Sequence, residues 1–98
     1  MPLVLPREEI RRFCERNRIR KLFLYGSVLT PRFRADSDVD ILVEFGPDSV
    51  PGYFDLAGME SQLSDLLGRK VDLRTPEELS RYFREEVLSS ASLQYEQQ

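Results

Sequence analysis

The chain has 98 residues, 14 of them basic and 17 acidic, giving a formal net charge of −3, and 41% are hydrophobic. That suits one compact domain over residues 1–98 and offers no bulk attraction to nucleic acid or an anionic membrane, so direct nucleic-acid binding is not expected. With no histidine and a single cysteine, Ser-His-Asp and Cys-His catalysis, histidine-ligated zinc and an internal disulfide are excluded, which leaves carboxylates, hydroxyls, lysine, arginine or an oxygen-ligated metal to carry any chemistry. No apolar run approaches the roughly 20 residues that span a bilayer. MPLVLPREE at the start lacks the basic and apolar regions of a signal peptide, and a reduced, cytoplasmic setting is expected.

Residues 7–17 read as a first helix, with Pro6 suited to its first turn and Ile10, Phe13 and Cys14 as its apolar stripe. Cys14 is expected as a buried thiol rather than a nucleophile, and the arginine-rich face of this helix as a solvated surface. KLFLY, residues 21–25, reads as a buried strand ended by Gly26. Residues 28–37 read as a loop or a short helical turn, broken at Pro31. VDILVEF, residues 39–45, is the clearest strand, rich in β-branched residues and ended by Gly46-Pro47.

After a loop over 48–52, residues 54–67 form an amphipathic helix with Leu56, Met59, Leu63, Leu66 and Leu67 on one side and Gly68 as its stop. KVDLR, residues 70–74, is a short strand. Thr75-Pro76-Glu77-Glu78 has the form of a capping box and predicts a last helix with Leu79, Phe83 and Val87 on its apolar side, running to about Tyr95. The order is helix, strand, strand, helix, strand, helix: a small α/β (α+β) domain, a mixed sheet with helices on one face.

Strand alternation sorts the second strand into two sets. Val39, Ile41, Val43 and Phe45 share one wholly apolar face; Asp38, Asp40, Leu42 and Glu44 share the other. The two aspartates lie roughly 7 Å apart along the strand. Left without a cation, such neighbours repel and one is pushed towards holding a proton; a hard divalent ion relieves this. Taken alone, the pair reads as readily as the solvated edge of a strand. Asp72, alternating between Val71 and Leu73, falls on the same side of the sheet and adds a third carboxylate to a set able to hold two metals. Gly26-Ser27, directly after a strand, can place backbone N–H groups and a hydroxyl against phosphate, although the same dipeptide is also an ordinary turn. Arg32 and Arg34 can neutralise phosphate or simply be solvated. Neither GxGxxG nor a Walker A motif occurs.

Gly26-Ser27, ten residues, then Asp38-Val39-Asp40 resembles the GSx₁₀DxD signature of the DNA-polymerase-beta-like nucleotidyltransferase superfamily. The surrounding LFLYGSVLTPRFRADSDVDILVEF and YFDLAGMESQLSDLLGRKVDLRTPEELS are similar to its smallest branch, the minimal nucleotidyltransferase (MNT) family. The resemblance covers residues 19–95 and implies a nucleotidyltransferase-like fold. It implies nucleotide contact at Gly26 and Ser27, metal binding at Asp38 and Asp40, and Asp72 as the third carboxylate, binding metal or activating the attacking hydroxyl. It further implies two Mg²⁺ ions, ATP as substrate, and an antitoxin role beside a HEPN-domain toxin in a hetero-oligomer, with AMP passed to a toxin tyrosine. Two other readings stand beside it. In one, the chain neutralises its partner by occlusion, with Tyr82, Phe83 and Tyr95 as aromatic anchors. In the other, AMP goes to a small molecule, for which the chain offers no separate substrate domain. The acceptor residue, base specificity and stoichiometry are not written in the sequence.

Overall fold

A computed structural model describes residues 3–97. The helices are α1 (Arg7–Arg16), α2 (Tyr53–Leu67) and α3 (Arg81–Ser90); the strands are β1 (Ile19–Tyr25), β2 (Val39–Phe45), β3 (Val71–Arg74) and β4 (Ser92–Glu96). They form one sheet in the order β3-β2-β1-β4, with β2 and β3 parallel and the other pairs antiparallel. The parallel pair requires a crossover, and α2 supplies it.

The apolar face of the sheet makes the core. Leu22 and Leu24 of β1, Val39, Ile41 and Val43 of β2, and Val71 and Leu73 of β3 are buried with Ile10 and Phe13 of α1 and Met59 and Leu63 of α2. Each such side chain stabilises the fold by about 1.5–3 kcal/mol on full burial. Cys14 lies in this core, and burial pushes its thiol up to about 12, so it stays protonated and inert. α2 begins where the Gly52 N–H donates to Asp55 Oδ2 at 2.9 Å. It ends at Gly68, whose left-handed φ of +65° lets its N–H turn back to the Ser64 carbonyl.

The C-terminal quarter departs from the sequence expectation. The Thr75–Glu78 box forms, the Thr75 N–H donating to Glu78 Oε1 at 3.3 Å, but it opens only a 3₁₀ turn, Pro76–Glu78. Leu79 is extended, and Ser80 caps α3 instead, its hydroxyl accepting the Phe83 N–H at 3.4 Å. The helix does not run to Tyr95. It stops at Ser90, and Ser92–Glu96 pairs with the free edge of β1. Two periods compete in this segment. Tyr95 stands opposite Leu22 and packs against the core, a register shift in β1 between Leu22 and Phe23 sets Leu93 opposite Phe23 on the other face, and the hydrogen bonds open on β1 select the strand. α3 buries no residue, and Phe83, expected on its apolar side, is exposed.

Candidate active site

The ends of three strands meet on the face opposite the core. Asp40 pairs with Tyr25 on one side and with Asp72 on the other. Tyr25, Asp40 and Asp72 therefore form one row across β1, β2 and β3, with side chains on the same face because each flanks core residues of its own strand. β2 lies inside the sheet, so Asp40 is not the solvated edge that the pair alone might equally suggest. Leu42, one row along between Phe23 and Arg74, is buried outside the main core.

The Gly26–Leu29 stretch forms a 3₁₀ turn at the end of β1, anchored by the buried Val28. Gly26 has φ +76°, and a Cβ there would stand 2.4 Å from Asp40 Oδ2. Both facts require glycine: the backbone conformation penalises a side chain, and the carboxylate occupies the space one would need. The Ser27 backbone N–H favours the charged form of the Asp40 carboxylate. Gly26, Ser27 and Asp40 are thus one packed unit.

Asp40 is the electrostatic centre. Burial raises its pKa, the Asp72 and Asp38 charges raise it further, and Arg74 and the Ser27 N–H act against them. Tyr25, beside it, is pushed up to about 12, by burial first and then by Asp40 and Asp72. The outer aspartates each hold a cationic side chain: Lys70 Nζ lies 3.8 Å from Asp38 Oδ2, and Arg74 Nη2 lies 3.3 Å from Asp72 Oδ2. Among the described residues, no three acidic, cysteine or histidine side chains converge into a ready metal cage. The donor chemistry nevertheless fits a hard cation: every candidate ligand is a carboxylate oxygen, and the crowded Asp40 is the group a cation would relieve.

Arg69 escapes a reading of the sequence. Its Nη2 donates to the Arg34 carbonyl at 2.5 Å and the Ser37 carbonyl at 2.9 Å, and its guanidinium stacks 4.3 Å above the Phe33 ring. It pins the loop that delivers Asp38 into β2. No periodicity marks such a residue; only its place in the turn before β3 hints at it. The side chains of Arg32 and Arg34 are exposed, and Arg34 contributes through its backbone. A cavity of about 860 Å³ is lined by Arg7, Cys14, Ile19 and Gly46, at the other end of β1 and β2 from the carboxylates.

Comparison with known proteins agrees with this geometry. The nucleotidyltransferase domain family model matches residues 7–93. The protein adenylyltransferase MntA of Thermococcus cleftensis is 39% identical over 59 residues, covering 60% of this chain and 58% of that protein. The chain thus matches a little over half the length of this curated relative. A solved structure provisionally described as a minimal nucleotidyltransferase superposes with TM-score 0.71 at 34% identity, over 87% of this chain and 85% of that one. A structure of the tri-AMPylated Shewanella oneidensis HEPN toxin in complex with MNT antitoxin matches with TM-score 0.68 at 17% identity, over 93% of this chain and 70% of that one, a likeness of fold. With the family model spanning most of its length and the paired-aspartate strand in place, this chain belongs to the nucleotidyltransferase domain family.

Proposed function

We propose that the chain is a metal-dependent protein adenylyltransferase that moves AMP from ATP to a tyrosine of a HEPN-domain toxin, acting as its cytoplasmic antitoxin in a hetero-oligomer. The observation that carries this reading is the row Gly26/Tyr25–Asp40–Asp72, which sets a glycine-serine turn and carboxylates side by side on one face. The adenylyltransferase and toxin–antitoxin names among its relatives support the substrate and the partner.

The chemistry follows from where the groups sit. Gly26 carries no side chain beside the Asp40 carboxylate, and Ser27 offers a hydroxyl to polyphosphate. Asp38, Asp40 and Asp72 would hold two Mg²⁺ ions. When bound, these ions would make the acceptor hydroxyl more acidic and offset charge on the phosphates. The acceptor oxygen forms its bond to the α-phosphorus as the bond to pyrophosphate breaks. Asp72, at the far side of the row from Gly26-Ser27, would take the acceptor proton. Lys70 and Arg74 put positive charge beside Asp38 and Asp72 that an arriving polyanion can share. Most of the rate then comes from positioning and electrostatics.

The test is incubation with labelled ATP, Mg²⁺ and a HEPN-domain toxin. Label should pass to the toxin and be lost by about 10²-fold or more in Asp38→Asn and Asp40→Asn. Wild-type rates in either variant would remove the metal assignment.

A second reading, neutralisation by occlusion, is favoured by α3, which has no fully buried residue while Tyr82 and Phe83 stand 89% and 62% exposed. Tyr95 drops out of that anchor set, since it packs against the domain's own core. The two readings separate on whether the aspartate variants still silence the toxin.

A further inference from the structure

Beyond the free edge of β3 lies a cavity of about 540 Å³ between the first turns of α2 and the Pro76–Glu78 turn. Its lining includes Tyr53, Leu56 and Ala57 on one wall, Thr75 and Glu78 on the other, and Asp72. We infer that this cavity seats the acceptor of the transfer, taking an aromatic ring whose hydroxyl reaches Asp72. The inference rests on the transfer reading above and assigns the side from which the acceptor enters.

The order of groups across the sheet carries it. The Gly26-Ser27 turn closes β1 against the Asp40 carboxylate, Asp40 stands on β2, Asp72 stands on β3, and the cavity follows. Strands are about 4.8 Å apart, so these are successive steps in one direction. In-line displacement places the incoming oxygen and the leaving pyrophosphate on opposite sides of the phosphorus. With the polyphosphate held at Gly26-Ser27 and phosphorus near Asp40, the leaving group lies towards β1. The nucleophile must then come over β3, and the cavity opens there.

Chemistry and size agree with the order. Glu60, Asp72 and Glu78 line the cavity against one cation, Arg74. Glu60 is itself fixed, its Oε2 accepting the Leu73 N–H at 2.8 Å. Such an acidic pocket repels a polyphosphate and admits a neutral hydroxyl group. The Tyr53, Leu56 and Ala57 wall suits the faces of a ring, and Tyr53 already makes an edge contact with Phe54 at 5.9 Å between centroids. The volume lies within the roughly 300–1,000 Å³ of ordinary ligand sites, ample for one side chain carried on a partner's loop.

The test uses two exposed positions, so that the fold is preserved: Ala57→Phe to fill the cavity and Tyr53→Ser to strip its wall. Transfer from labelled ATP to a HEPN-domain toxin is measured against toxin concentration, and ATP affinity is measured separately. Ala57→Phe should lower kcat/KM for the toxin by about tenfold or more, Tyr53→Ser by less, with ATP affinity within about twofold of wild type. If both variants transfer to the toxin as wild type does, the cavity is not the acceptor seat although the transfer reading survives. If both lose ATP affinity in step with transfer, the pocket holds the nucleotide base and the inference is overturned. A wild-type chain that binds ATP and labels no toxin would remove the transfer reading, and this inference with it.

Discussion

The two faces of β2 differ in what they tolerate, although their residues alternate along a single strand. Val39, Ile41 and Val43 are wholly buried in apolar contact. Asp40 is half-buried against Gly26, Tyr25 and Asp72, in surroundings that oppose its charge. On one face burial stabilises, and on the other burial opposes the charge of a carboxylate. A site of this kind lowers stability locally and depends on the opposite face to hold it in place.

Four changes break or sharpen that contrast. The largest is Leu63→Ala, which removes a fully buried side chain of α2 from the apolar face and should cost about 2–5 kcal/mol by denaturant unfolding. A cost below that range would mean α2 packs loosely and the core face is not what holds the site. Gly26→Ala, on the carboxylate side, meets both a left-handed backbone and the Asp40 oxygen. It should cost about 1–2 kcal/mol from the backbone alone and displace Asp40, so transfer falls further than stability does. Unchanged transfer in that variant would show that the turn and the carboxylate are not one unit.

Asp40→Asn should do the reverse of an ordinary mutation: in chelator at neutral pH it should raise the melting temperature. The sign follows from the raised pKa of Asp40. The native state holds that proton more tightly than the unfolded chain does. Wild-type stability therefore falls as pH rises from the unfolded pKa through the folded one. The gap between variant and wild type should be smallest in acid and widen to a plateau above the folded pKa; a gap that closes with rising pH contradicts the assignment. The smallest effect is expected at Tyr82→Ser, where an 89% exposed ring leaves solvent-facing α3. Stability of the isolated chain should move by less than about 0.5 kcal/mol, and a larger loss would mean α3 packs on its own domain.

Much of this was legible in the sequence, for definite reasons. The bounds of β2 are legible because VDILVEF is rich in β-branched residues, alternates apolar and polar at every position but Leu42, and ends at Gly46-Pro47. Asp72 was placed on the face of Asp40 because Val71 and Leu73 leave it no other side, and register put the two directly opposite. Gly26 could be suspected from its position, but the Asp40 oxygen beside it could not, since that contact joins residues far apart in sequence. Arg69 and its loop were hidden for the same reason. The stretch after Thr75 misled because its local cap is real yet starts a single turn, and because SLQYE becomes a strand only when β1 offers it hydrogen bonds.

The central claim is that the Gly26–Asp40–Asp72 row transfers AMP. It is tested most directly by following label from ATP onto a HEPN-domain toxin with wild type and Asp40→Asn side by side, both checked for fold and for toxin binding. The account predicts covalent label and a silenced toxin with wild type, and neither with Asp40→Asn although the complex still forms. Silencing of equal strength by both, with no label on the toxin, would contradict it.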